Sequence, residues 1–406
     1  MMSSFGQYTE KINEWSKIMY ERIIKVLQKA VDGKVVSGVN VLAFKNGQEL
    51  AYCEYGFRDI ENHKPMSRDT IFRMYSMTKP ITSAAVMILV SRGIIDIGEN
   101  VAAYLPEFSK PYVNCDGVRR PAVRPITVKN LLNMTSGLLY PDDNTECGRQ
   151  TGKVFSRLDS RLYGDNPMTT AEFSEAIAAN ELCFDPGEHF MYGVSADILG
   201  ALIERVSGER LSDFLRKEIF EPLGMHDTGF FVPKEKSDRL AKVYNLIGDE
   251  LAEVRTNHLG IRYYMDKPPA FESGGAGLCS TLDDYARFAH MLLNNGSYCG
   301  KQIIPKKAVE YMTRGRLTSN QQADLQRDWG DLAGYSYGNL MRVCEDEAGA
   351  LLLTSKGEYG WDGWLGTYFA NEPACGTTLL MGVQRIDGDK GAIVRKLRNI
   401  LSCATD

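Results

Sequence analysis
The sequence predicts an α/β plus α fold of two lobes: an antiparallel sheet drawn from both chain ends, flanked by helices, facing a helical second lobe. Three observations carry this. Strand-like text stands near the N-terminus and returns in the last hundred residues, the text between reads mainly as helix, and no flexible linker, repeat or low-complexity tract divides the chain. With 406 residues, 44% hydrophobic and 24% charged, the chain can bury a large core and has a globular composition. The expected division is residues 1–110 and 273–406 for the α/β lobe and 111–272 for the mostly helical lobe, together one functional unit.

The elements follow in order. Residues 1–30 mix Glu10, Lys11, Glu14, Lys17, Glu21 and Arg22 with Ile12, Trp15, Ile18, Met19, Ile23 and Leu27. That pattern predicts an amphipathic surface helix and lacks the continuous apolar core of a signal peptide. Strands are expected at 37–44 and 49–57, joined at Asn46-Gly47, a strong hairpin signal. The apolar run Ala84-Ala85-Val86-Met87-Ile88-Leu89-Val90 predicts a helix ending at Gly93, and Pro80 places its start close to Ser76.

From residue 101 to about 170 the text is richer in Pro, Asn, Asp and Gly, with a short capped helix at 127–132 and a long polar loop at 140–166. Loops of that length usually cover something. Helical periodicity resumes at 170–180, 195–207 and 211–220, and an amphipathic helix is expected at 281–294. Strands are expected at 335–343, 351–355, 366–371 and 377–383, closed by a helix at 391–401.

Composition excludes several functions. A net charge of −5 offers no basic footprint for nucleic acid, and no apolar run approaches a membrane span. The expected partner is a small molecule, uncharged or mildly charged. Nine cysteines without paired spacing fit free thiols in a reducing compartment, hence a cytoplasmic location. His63, His189, His226, His258 and His290 are far apart, so no metal is expected.

The chemistry concentrates in Ser76-Met77-Thr78-Lys79. On a helix, residues three apart share a face one turn apart, so the lysine amine can reach the serine hydroxyl. Serine must lose a proton as it attacks, and a neutral lysine can take it. Burial and the positive end of the helix dipole both disfavour the ammonium form, and the same dipole steadies an alkoxide on Ser76. Two other stretches read as structural. Ser273-Gly274-Gly275-Ala276-Gly277-Leu278 matches no nucleotide-binding fingerprint and is expected as a tight turn approaching a cleft. Gly334-Tyr335-Ser336-Tyr337-Gly338 continues as strand and has no later histidine, so Ser336 is not expected to be a hydrolase elbow.

Three segments together resemble the serine β-lactamase and penicillin-binding-protein superfamily, most of all the branch of class C β-lactamases, family VIII carboxylesterases and related acyltransferases. They are Phe72-Arg73-Met74-Tyr75-Ser76-Met77-Thr78-Lys79, the stretch Pro186-Gly187-Glu188-His189-Phe190-Met191-Tyr192-Gly193-Val194-Ser195-Ala196-Asp197-Ile198-Leu199-Gly200, and Gly360-Trp361-Asp362-Gly363-Trp364-Leu365-Gly366-Thr367-Tyr368-Phe369. The residues around Pro222-Leu223-Gly224 and the Gly-rich stretch add to the likeness, which spans about residues 35–400.

The resemblance implies a β-lactamase/transpeptidase-like fold, no cofactor, Ser76 as the acylated nucleophile, Lys79 as its base and Tyr192 sharing the proton. It further implies an oxyanion hole from the N–H groups of Ser76 and Trp364, with Gly363 allowing close approach of the strand. A tyrosine beside Lys79 would titrate as part of a coupled pair. Trp361-Asp362-Gly363 stands where lactam-cleaving relatives carry a cation and a hydroxyl, and Val194 where they carry an amide. Both departures disfavour anionic β-lactams. Trp361 and Trp364 are expected as aromatic walls for an apolar acyl or alcohol group, and Asp362 either as a structural carboxylate or as a substrate contact. The expected function is a serine hydrolase of carboxylic esters, with an ester or amide as its small-molecule substrate. Its alternatives are acyl transfer to an alcohol or amine, weak β-lactamase or D-amino-acid peptidase activity, and a non-catalytic binding protein on the same fold.

Overall fold
The computed structural model describes residues 3–115 and 117–405, with side chains described for 17–115 and 117–404. Its centre is an eight-stranded antiparallel sheet. Three strands come from the N-terminal end, β1 (Gly38–Lys45), β2 (Gln48–Asp59) and β3 (Lys64–Pro65). Five come from the C-terminal end, β4 (Tyr335–Gly338), β5 (Met341–Cys344), β6 (Tyr359–Asp362), β7 (Tyr368–Glu372) and β8 (Thr377–Gly382). The spatial order β4-β5-β6-β7-β8-β1-β2-β3 joins the two ends where β1 pairs with β8, Leu42 opposite Leu380. The β1–β2 hairpin turns at Asn46 and Gly47, both at positive φ (52° and 76°), as a two-residue turn matching strand twist requires.

Strand alternation sorts the core into two layers. Val39, Val41, Ala43, Leu379 and Met381 face α1 (Ser3–Asp32) and the C-terminal helix Lys390–Thr405. Met19, Ile23, Leu27 and Ala30 supply the buried stripe of α1 at helical spacing. The expected stripe between Glu10 and Trp15 lies outside the described side chains. Leu42, Phe44, Phe369 and Leu380 face the opposite way, into the larger core, where they meet α2 (Thr78–Ser91). Nearly every side of α2 is buried, in keeping with its apolar run from Ala84 to Val90. The chain middle adds α3 (Val128–Leu132), α4 (Glu146–Arg161), α5 (Thr170–Ala178) and α6 (Ser195–Ser207). The helix α7 (Leu282–Leu293) packs with α2 under the sheet, and the C-terminal helix is α8.

Three expectations are corrected. The polar loop at 140–166 contains α4, started by Thr145, whose hydroxyl accepts from the Gly148 N–H at 3.0 Å; Val154, Phe155 and Leu158 anchor it. The strand at 335–343 is a hairpin, β4 and β5, turning at Asn339 and Leu340, both at positive φ. No strand forms at 351–355, where Leu351 and Leu353 are exposed. Ser336 sits within β4, in a strand as expected. Among the described residues no helix is long and apolar enough to cross a membrane.

Candidate active site
The chain reaches Ser76 through Phe72–Arg73, which pairs with Cys279–Ser280, and then turns once as a 3-10 helix, Tyr75–Met77, before α2 begins. Tyr75 is buried at φ 43°, a conformation costly for a bulky residue and tolerated where surroundings over-determine it. They do so here. The Met74 N–H donates to the Leu278 carbonyl at 2.8 Å, and the Met74 carbonyl accepts from Thr367 Oγ1 at 3.2 Å. The Met77 carbonyl accepts from the Tyr285 hydroxyl at 2.8 Å, and the Tyr75 ring packs edge-on against Trp364 at 5.1 Å. Ser76 is left half-buried at the start of the helix.

Lys79 is fully buried. Its Nζ donates to Ser76 Oγ at 3.0 Å, to the Tyr140 hydroxyl at 3.0 Å and to the Gly275 carbonyl at 2.9 Å. Burial pulls its pKa from 10.5 down to about 7, with the carboxylates of Asp197 and then Asp362 resisting. Asp197, buried on α6, accepts from the Gly275 N–H at 3.1 Å and from Ser273 Oγ. Its own pKa is raised by burial. A Cβ on Gly275 would stand 2.9 Å from Asp197 Oδ2 and 3.0 Å from the Tyr140 oxygen. The Gly-rich stretch is therefore the tight turn that the sequence suggests, and it presents a carbonyl to the lysine.

Tyr192 arrives from the turn preceding α6. Its oxygen accepts from Trp361 Nε1 at 2.9 Å, and Lys79 Nζ lies 4.6 Å from its ring centroid. Enclosure raises its pKa, while the Ser76 hydroxyl and the Trp361 indole pull it back down. The expected Lys79–Tyr192 pairing thus takes a different form. The amine bonds directly to Tyr140, whose phenol burial holds well above the ordinary range, and Tyr192 is held by tryptophan instead. Val194 is fully buried at the start of α6, so its side chain offers nothing to a ligand.

The third segment lies across from Ser76. Trp361 is only 4% exposed, packed among Tyr192, Trp329 and Tyr337, so it is a buried hydrogen-bond donor and not the open wall expected of it. Trp364 is more open and stacks on His258, with centroids 3.9 Å apart. A Cβ on Gly363 would meet the Met74 carbonyl at 2.4 Å and Thr367 Oγ1 at 2.2 Å. The close approach it allows is to the backbone that leads into Ser76. Asp362 is exposed, with no ion-pair partner among the described residues, and lines a cavity of about 610 Å³ with Asp331, Leu332, Trp364 and Lys390. A larger cavity of about 850 Å³, near His290 and the Asn46-Gly47 turn, includes none of these residues.

Tyr140 is the member of this cluster that sequence reasoning missed. A tyrosine closing the apolar run Leu138-Leu139 before Pro141 signals only a chain turn, and the Cβ clash of Gly193 against Leu138 and Leu139 shows how tightly the Tyr192 segment presses it toward Lys79.

The chain is similar to several known proteins. The protein Rv1367c of Mycobacterium tuberculosis is 32% identical over 367 residues, 88% of each chain. Esterase EstB of Burkholderia gladioli is 28% identical over 392 residues, covering 93% of this chain and 94% of its own. Among solved structures, EstCE1, described as a hydrolase with promiscuous acyltransferase activity, superposes with a TM-score of 0.80 at 25% identity, covering 95% of this chain and 99% of that one. The profile of the Beta-lactamase family matches residues 23–400, a span holding every residue of the cluster around Ser76, and the chain belongs to that family.

Proposed function
We propose that this chain is a serine hydrolase of carboxylic esters that works through an acyl-enzyme on Ser76. One observation carries the reading: a fully buried amine with its pKa drawn down to about 7 stands 3.0 Å from the Ser76 hydroxyl. A pKa drawn down to about 7 makes the free base of Lys79 available at neutral pH. Lys79 takes the Ser76 proton as Oγ attacks the ester carbonyl, and Tyr192, facing Ser76, returns a proton to the departing alcohol. Water then enters and the steps run in reverse, releasing the acid.

The oxyanion is received by the N–H groups of Ser76 and Trp364. Neither amide donates to another backbone group among the described residues, which leaves both for substrate. Substrate lies in the crevice between the sheet lobe, 1–110 with 273–406, and the helical lobe, 111–272. Trp361 and Val194, standing where lactam-cleaving relatives carry a cation and an amide, favour a neutral ester over an anionic lactam. The names of EstB and EstCE1 support the ester. The description of EstCE1 also supports a second outcome, capture of the same acyl group by an alcohol or amine. Nine free thiols support a cytoplasmic setting.

The test is Ser76→Ala against p-nitrophenyl butyrate, with intact-protein mass spectrometry of the wild type during turnover. Loss of hydrolysis together with a butyryl adduct on Ser76 is expected. Full activity in the variant refutes the assignment.

A further inference from the structure
The turn that carries Trp364 is held from behind by a residue outside the catalytic cluster. Lys390, the first residue of α8, donates from Nζ to the Trp364 carbonyl at 3.0 Å and to the Arg385 carbonyl at 2.8 Å. The turn wraps its stem: Gly366 has φ 95°, and a Cβ there would stand 2.4 Å from Lys390 Cδ. Other groups of the turn are satisfied by backbone. The Gly363 N–H donates to Thr367, the Gly366 N–H to Gly363, and the Arg385 N–H to Leu365. Among the described residues the Trp364 carbonyl accepts from Lys390 alone.

We infer that Lys390 is a positioning residue for the oxyanion hole, setting the plane of the Trp364 peptide groups from outside the crevice. The inference rests on the reading of the Trp364 N–H as an oxyanion donor. Such a donor must sit about 2.7–3.1 Å from the developing charge, and a carbonyl left loose on the same residue lets the N–H swing away. An ammonium suits the task because charge-assisted bonds are roughly twice as strong as neutral ones. Asp387 and Arg385 face it from its own segment and Asp362 from β6, while Asp331, Asp389 and Arg395 line the same cavity. Burial brings Lys390 down to about 8, with Asp387 and Asp362 resisting and Arg385 assisting. Above that pH a neutral amine still reaches both carbonyls, but with weaker bonds.

The test compares Lys390→Met and Lys390→Arg on p-nitrophenyl butyrate and on its thionoester, whose sulfur fits an oxygen-shaped hole poorly. Lys390→Met is expected to lower kcat about 10- to 100-fold, with KM within about twofold. The preference for ester over thionoester should shrink by a similar factor. Lys390→Arg should restore most of kcat and abolish an activity decline above pH 8. Unchanged kcat in a folded Lys390→Met protein overturns the inference, as does lost kcat with an unaltered ester-to-thionoester preference. If Lys390→Met does not fold, Lys390→Arg decides: an alkaline decline at the wild-type pH overturns it. Failure of the acyl-enzyme reading shows separately, as activity surviving in Ser76→Ala.

Discussion

Replacing Trp361 with phenylalanine separates two roles for the indole. The structure makes it a donor to Tyr192, at 2.9 Å, whereas the sequence suggests a wall for substrate. Phenylalanine keeps most of the ring packing against Tyr192, Trp329 and Tyr337 but removes the N–H. A hydrogen bond to a charged partner contributes about 1.5–3 kcal/mol, against about 1 for a neutral one. If the Tyr192 oxygen gathers negative charge as the proton moves, the difference of about 0.5–2 kcal/mol slows acylation about 2- to 30-fold. The sign follows from the same bond. The indole pulls the Tyr192 pKa down, so its removal raises that pKa and makes the phenol slower to release its proton. With Trp361 only 4% exposed, KM should hold within about twofold. Rapid-quench acylation by ethyl butyrate, at a pH above 7 so that Lys79 is neutral, reads the effect, because an alkoxide leaving group needs the Tyr192 proton. Acylation within twofold of wild type, or a loss confined to KM, refutes the reasoning and returns Trp361 to the role of a wall.

The remaining predictions are briefer. With Lys79 as the proposed base and its pKa drawn down to about 7, kcat/KM should climb tenfold per pH unit below 7 and level above it; a limb centred near 10 would contradict a buried free base. The depressed pKa also costs stability. The unfolded chain binds the proton up to about pH 10.5, so Lys79→Met should melt higher than wild type below pH 7, with the gap closing as pH rises toward 10. Tyr140→Phe removes one of the three acceptors of Lys79 and should slow acylation about five- to tenfold; an unaffected rate would make Tyr140 packing alone. Gly363→Ala drives a Cβ against the Met74 carbonyl and should lower the melting temperature by several degrees, about 1–3 kcal/mol, with loss of esterase activity; a wild-type melting curve would count against the close approach.

What could be seen in the text was local. Ser76 and Lys79 were visible because one helical turn brings them together, and Asn46-Gly47 because two residues specify their turn. The match of Val41 and Met381 on one face and Leu42 and Leu380 on the other follows from alternation that each strand displays alone. The tie from Trp361 to Tyr192 spans 169 positions, and that from Lys79 to Tyr140 spans 61; no spacing rule reaches so far. Helix α4 escaped notice because Gly148, Gly152 and many charged residues dilute its apolar stripe. The turn between β4 and β5 escaped because Leu340 occupies a positive φ that a side chain with a Cβ seldom adopts. Trp361 reads from sequence as a crevice wall because an aromatic residue looks alike there whether it faces a ligand or the interior.

The pairing of β1 with β8 has a consequence for biosynthesis. During translation β1 emerges early and gains β2 at once, yet its other neighbour begins at Thr377, more than 330 positions after Lys45. At about 5–20 residues per second, the nascent hairpin waits on the order of 20–70 s with one row of peptide groups open. Any message truncated before Thr377 releases a polypeptide whose central strand has lost its natural mate, a template for sticking to other copies of itself.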